Sequence, residues 1–267
     1  MSVRPVSFAA LAAAVLVLPG RPDRPAHPGA APTVARYRFA QQIEQDVDLS
    51  AMGGGKQTTR FGTSLFVTLT LADSAGGRTA HVVFDSVTVD SGAQLPAQVR
   101  AQMDSLKGAT YHAWLNRGKV ATVKAVDDTT ASITQARGLL NALFLPTKSS
   151  AKAGDTWADT TNVTNDIPAG TMTVRTVTSY KATGSAAGAG AKGLKVDATT
   201  STSFSGTQGG APIEGTGNGS GSYVVGADGR VLSGTERSTS NLTVAPSQAP
   251  EPIQVLIRQS TTITSLP

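Results

Sequence analysis

The chain contains no cysteine. That excludes disulfides, a thiolate nucleophile, zinc–thiolate centres and a lipid-modified cysteine behind a signal sequence. Aromatic residues make up 5% and charged residues 15% of the 267 residues, so a core has to be assembled from Val, Leu, Ile and Ala. Gly, Ser, Thr and Ala dominate the remainder, a composition that favours strands with small neighbours over helices. Histidine is scarce too: apart from His27 near the N-terminus, only His81 and His112 are present. A serine hydrolase needs a Ser, a His and an acid together, usually with the Ser on a glycine-flanked elbow before a helix. The one approach to that pattern, Gly217-Asn218-Gly219-Ser220-Gly221, lies in a strand-rich stretch.

Metal and phosphate signatures are equally thin. Asp46 with Asp48, Asp127 with Asp128, and Asp155 with Asp159 are the acidic pairs, and calcium wants six to eight oxygens. They read as a solvated strand face, a helix cap and turn residues. The glycine-rich Met52–Lys56, MGGGK, is followed by Gln-Thr and has no strand-to-helix transition around it, so it reads as a loop. The formal charge is +5, of which Arg4, Arg21 and Arg24 against Asp23 hold +2 in the first thirty residues. The remaining Lys and Arg are scattered without interleaved aromatics, which gives no phosphate track or stacking platform for nucleic acid. Catalytic residues, metal and cofactor are therefore all expected to be none.

What is present begins with Phe8–Leu18, FAALAAAVLVL, preceded by Arg4 and followed by a proline-rich exit. This predicts a secretory signal over residues 1–30, since a spanning helix wants about 20 apolar residues. The mature chain is expected to be exported, periplasmic or extracellular and bacterial, with no transmembrane span. Residues 31–267 are expected to form a single β-rich domain with a helical insert at about 95–146.

Period-two alternation recurs through that domain. Tyr37–Val47 reads as a first strand, Met52–Thr59 as a flexible link, Gly62–Leu71 and Thr79–Asp90 as a hairpin. Pro96–Lys107 carries Val99, Met103 and Leu106 on one helical stripe and stops at Gly108. Two strands, Tyr111–Leu115 and Val120–Val126, precede a second helix, Ala131–Phe144, with Asp127, Asp128 and Thr130 as caps. From Trp157 about six strands follow. Gly184–Lys192 reads as a flexible hairpin loop, and the strand carrying Ile253, Val255, Ile257 and Ile263 as the one that closes the sheet. Asp228-Gly229 signals a tight turn. Beyond it both faces are polar from Ser233 to Asn241, which predicts a long, partly solvated strand near an open end of a barrel.

Leu145–Thr160, LPTKSSAKAGDTWADT, resembles the Leu-Pro…Gly-Asp-x-Trp signature of uncharacterised exported bacterial proteins, matched at Leu145, Pro146, Gly154, Asp155, Thr156 and Trp157. With the strand and helix order, the chain resembles the periplasmic lipoprotein-carrier class, a clam-like open β-barrel. The resemblance implies a mainly β (α+β) fold: a strongly curved antiparallel sheet of about 11 strands, with two short helices on its concave side. It further implies an apolar cavity for acyl chains, lined by Val99, Met103, Leu106, Trp114, Leu139, Leu140, Leu143, Phe144 and Trp157. In the alternative, those side chains are ordinary core. The implied role is non-enzymatic binding of a lipid, another hydrophobic ligand or a lipidated protein. The alternatives are a structural or protein-interaction module with a filled core and, third, a hydrolase.

Overall fold

The computed structural model describes residues 31–74, 76–90, 97–116, 119–126, 133–146, 151–167, 170–188, 191–246 and 251–267. The first three strands are β1 (Thr33–Asp48), β2 (Lys56–Ser74) and β3 (Gly77–Val89). The helix α1 (Ala97–Leu106), strands β4 (Thr110–Asn116) and β5 (Lys119–Ala125), and helix α2 (Ile133–Leu143) follow. Six strands complete the chain: β6 (Thr156–Ile167), β7 (Gly170–Gly188), β8 (Ala191–Gln208), β9 (Ala211–Val225), β10 (Val231–Val244) and β11 (Ile253–Leu266). All eleven strands join one antiparallel sheet in the order β5-β4-β3-β2-β1-β11-β10-β9-β8-β7-β6.

Alternation decides which face is inside. Leu65, Val67, Leu69 and Leu71 of β2 stand opposite Phe39, Tyr37, Ala35 and Thr33 of β1, and Phe39 and Tyr37 among those β1 side chains are buried. On the far side of β2 the partners are Val87, Phe84, Val82 and Ala80 of β3, with a bulge where the extra residue Asp85 is accommodated. Asp85 turns outward and accepts a hydrogen bond from Thr68 Oγ1 at 2.8 Å. Each fully buried Leu or Phe on this face contributes about 1.5–3 kcal/mol relative to exposure.

The inner face carries two apolar clusters. One gathers Tyr37, Val67, Phe84, Tyr111 and Leu115 from the β1–β5 half, Tyr180, Val196 and Tyr223 from the β6–β11 half, and Leu106, Leu140 and Leu143 from the helices. Residues from both halves of the strand order meet there, so the sheet curls strongly and the helices lie on its concave side. The second cluster, Met172, Ile213, Leu242, Val244, Ile253 and Val255, occupies the same face towards the other end of the strands. A set of small polar side chains and glycines lies between the two.

Curling brings the ends of the strand order together without a backbone ladder between them. Lys119 Nζ on β5 lies 2.7 Å from Asp159 Oδ1 on β6, an ion pair across the mouth of the sheet. With side chains 60% and 26% exposed it is worth at most about 1 kcal/mol, so it marks proximity more than it supplies stability. The barrel is open at this seam.

The helices are short and pinned locally. Gly108, at φ 78°, donates to the Phe84 carbonyl at 2.8 Å, and Phe84 N–H donates to the Ala109 carbonyl at 3.0 Å, which ties the end of α1 to β3. The apolar stripe of α2, Ala136, Leu139, Leu140 and Leu143, is buried. The segment with Gly154 is tied to β7 by Gly154 N–H to Ala182 O, 2.8 Å, and Ala182 N–H to Asp155 O, 2.9 Å.

Several expectations need correction. Lys56–Thr59 belongs to β2, paired to Asp48–Gln45 of β1, because a long partner strand zips these polar residues into its ladder. Gly184–Gly188 continues β7 past a bulge and pairs with Lys195–Ala191, because backbone hydrogen bonds need no side chains. The strand of Ile253 and Ile263, β11, lies between β1 and β10, where it joins the two halves of the sheet and leaves the β5/β6 seam unclosed. Strand β10 sits well inside the strand order, away from either edge. The signal segment, Pro96 and the caps Asp127, Asp128 and Thr130 lie outside the described residues.

Candidate ligand-binding cavity

Most of the side chains expected to line a cavity are brought together, as packed core. Leu106, Leu139, Leu140, Leu143 and Phe144 are between 0 and 7% exposed and touch one cluster. Trp157 is half-buried against that cluster and stacks on Tyr180 with ring centroids 5.5 Å apart and planes at 13°. Met103 is half-buried, and the Val99 side chain lies outside the described residues. Trp114 is on the other face of β4: Tyr111, Ala113 and Leu115 alternate inward, and the Trp114 ring covers Gly77 from outside. Strict alternation along a regular strand puts it there.

The hollow lies between the two apolar clusters, over β7–β11. It has a volume of about 300 Å³. At one end Val174, Phe204, Leu242 and Ile257 give it an apolar wall; at the other, Thr200, Thr202, Glu236, Ser238 and Gln259 give it a polar one. Space arises because β9 presents glycine inward at four successive positions, Gly215, Gly217, Gly219 and Gly221, between inward Ile213 and Tyr223. A Cβ added at Gly219 would meet Arg237 O at 3.2 Å, Ser238 Cβ at 3.3 Å and Thr200 Cβ at 3.7 Å, so the strand backbone itself forms the floor. Gly221 and Gly234 are different: the Tyr223 ring lies over both, within 2.8 and 2.5 Å of where a Cβ would stand. An aromatic ring laid over bare glycine backbone shields it from water.

Neighbouring threonines on the floor pair across strands, Thr178 Oγ1 with Thr200 Oγ1 at 3.2 Å and Thr176 with Thr202 at 3.5 Å. Among the described residues, Glu236 is the only ionisable side chain on the lining. Its Oε2 accepts a hydrogen bond from the Tyr223 hydroxyl at 3.2 Å. Burial raises its carboxyl above the ordinary value, opposed by the Tyr223 hydrogen bond. The two nearby phenols respond to the same environment: burial pushes Tyr180 up to about 12, and burial together with the Glu236 charge raises Tyr223.

Of the acidic pairs, Asp127 and Asp128 lie outside the described residues, and Asp159 is a strand residue of β6 paired with Lys119, not the turn residue expected. Asp46 is half-buried on the outer face, held by Thr58 at 2.7 Å and Arg258 at 2.8 Å, and Arg258 also reaches Glu44 at 2.6 Å. Asp155 Oδ2 accepts from Lys152 N–H at 2.9 Å within a turn. Among the described residues no three His, Cys, Asp or Glu side chains gather to hold a metal ion. His81 and His112 are cross-strand partners on the outer face of β3 and β4, ring centroids 4.9 Å apart, and neither belongs to the hollow's lining. Asp228 is a turn residue that also anchors its turn. Its carbonyl accepts from Arg78 Nη1 at 2.9 Å, which binds the β9–β10 turn to β3, and its carboxylate pairs with Arg230.

Sequence reasoning missed Glu236, Gly217 and Gly219. The signal was available: inward glycines every second residue in GTGNGSG, beside a strand whose inward positions are Gly, Glu, Ser and Ser, describe a wall without bulk.

No protein-family model matches the chain, and no curated protein matches it. Among solved structures it is similar in fold to lipovitellin, in a structure concerned with lipid–protein interactions, at TM-score 0.54 and 12% identity. The match covers 88% of this chain, which spans 25% of that one. Two mutant porins of Rh. blastica are matched at TM-scores of 0.29 and 0.28 and 11% identity, over 88% of this chain and 100% of theirs. The similarity to lipovitellin shows the fold: a large, strongly curved, open antiparallel sheet carrying few helices.

Proposed function

We propose that the protein is a non-enzymatic, exported binding protein of the bacterial cell envelope that takes a lipid or other apolar-chain ligand into its concave side. The observation that carries this is the hollow of about 300 Å³ inside the curved sheet, at the lower end of the range for small-molecule pockets. A row of inward glycines on β9 keeps this space clear of side chains. Its apolar end suits an acyl chain and its hydroxyl-lined end a polar terminus. The fold shared with lipovitellin, in a structure concerned with lipid–protein interactions, supports the same reading. The position of both described histidines outside the lining supports a role without hydrolysis.

Native mass spectrometry and lipid extraction on protein purified from its host test this. The expected result is a bound single-chain lipid that comes off with organic solvent. Bare protein that also leaves an apolar dye dark would overturn it. A second reading, a module with a filled core that engages a protein partner, is favoured by the packing of Leu139, Leu140, Leu143 and Phe144 at 0–7% exposure. It predicts a hollow that stays empty towards every apolar probe.

A further inference from the structure

The charge arrangement around the hollow bears on which ligands it accepts. Among the described residues its lining contains one carboxylate, Glu236, and no Lys, Arg or His. Beside the hollow, Arg175 on β7, Arg237 on β10 and Arg258 on β11 alternate with the inward residues and so stand on the outer face, while Lys181 on β7 and Lys192 and Lys195 on β8 are exposed further along their strands. None of the ion pairs among the described residues involves Glu236. Its one hydrogen-bond partner is the Tyr223 hydroxyl, which satisfies Oε2 alone. Oε1 is therefore free to accept. The hydroxyls of Thr200, Thr202 and Ser238 and the amide of Gln259 are further acceptors on the same lining.

A half-buried carboxyl without a protein cation favours a ligand that brings one, since ionising it alone in a poorly solvated place is unfavourable. A primary ammonium has three N–H donors and matches one carboxylate with two or three hydroxyl acceptors. A carboxylate or phosphate headgroup would meet Glu236 with no counter-charge, and one of the two would have to be protonated. Resting on the ligand-binding reading above, we propose that the hollow selects single-chain amphiphiles by headgroup charge. The alkyl chain lies towards Phe204, Leu242 and Ile257, an ammonium is held by Glu236, and anionic headgroups are excluded.

The test is a titration of full-length mature protein with dodecylammonium, dodecanol and dodecanoate, each below its micelle concentration, read by calorimetry near neutral pH. Dodecylammonium should bind at least about tenfold tighter than dodecanoate, the size of effect expected of one poorly screened charge contact. The Glu236→Gln variant keeps an amide oxygen for the Tyr223 hydroxyl and should bring the two affinities within about threefold of each other. Equal binding of all three, or dodecanoate binding tightest, overturns the charge selection and leaves the binding reading standing. A preference that survives Glu236→Gln overturns Glu236 as its origin. Failure of all three, dodecanol included, overturns the selection and the binding reading together. The wild-type comparison alone decides the main point even where the variant is poorly folded.

Discussion

Replacing Gly219 by Phe separates an open hollow from a packed interior. The position faces inward from the middle of β9, and a Cβ there would have two tight neighbours, Arg237 O at 3.2 Å and Ser238 Cβ at 3.3 Å, which shifts of a few tenths of an ångström relieve, and an ordinary contact with Thr200 Cβ at 3.7 Å. A ring beyond that Cβ projects into about 300 Å³ of free space. Phe also replaces a strand glycine, which by itself is worth about 0.5–1 kcal/mol. The gain and the tight contacts offset each other, so stability should change by no more than about 1 kcal/mol, a shift of about 2–4 °C in Tm for a domain of this size. Binding of an apolar fluorescent dye should weaken at least about tenfold, because the ring occupies the ligand's place. Ser220→Phe, one residue along and on the outer face, is the control and should leave dye binding unchanged. A loss of more than about 3 kcal/mol in Gly219→Phe would signal overpacking of a filled interior and refute the reasoning. Unaltered dye affinity in a stable variant would refute it equally.

Other outcomes follow from the same geometry. Leu140→Ala, at a fully buried position in α2, should cost about 2–5 kcal/mol by chemical denaturation, through lost transfer energy and the cavity left behind. Gly234→Val should be destabilising by about 1–3 kcal/mol, since its Cβ would stand 2.5 Å from Cδ1 of Tyr223; a neutral result would mean that the ring does not rest on the strand. The raised carboxyl of Glu236 fixes a direction with pH. The folded state holds that proton more tightly than the unfolded chain, so this contribution is complete below the ordinary value of 4.5 and is lost as pH rises through the elevated one. Thermal melts of wild type against Glu236→Gln should show the wild type losing ground to the variant as pH rises above 4.5, and a difference that does not change with pH would contradict this. Lys119→Glu sets two carboxylates across the β5/β6 seam and should lower stability by no more than about 1 kcal/mol, as expected for an exposed pair.

Much of the architecture is legible in the residues. Alternation in Gly62–Leu71, the stripe Ala136, Leu140 and Leu143, and the Asp228-Gly229 turn each specify their element locally, and the order of strands and helices follows from them. Elements without apolar patterning were harder to read. Gly184–Gly188 and Lys56–Thr59 are strands only because a neighbouring strand supplies hydrogen bonds, information that is not local to those residues. The polar inward face of β10 suggested solvent at a barrel end. In the folded chain Glu236, Ser238 and Ser240 face an internal hollow, which looks the same as an exterior when read along one strand. Trp114 illustrates the opposite error: a large aromatic was expected inside, but its place on the pleat turns it out over Gly77. The expected cavity residues on the helices were apolar enough to fill their own space, and the open space arose where glycine removed side chains.

The most direct test is to locate a bound alkyl chain by intermolecular nuclear Overhauser effects from dodecylammonium to methyl-labelled protein. The account predicts contacts from the chain to the methyls of Val174, Leu242 and Ile257, with the headgroup methylene nearest Thr200 and Thr202. Contacts instead to Leu139, Leu140 and Leu143 among the helices, or none to any inward methyl, would contradict it.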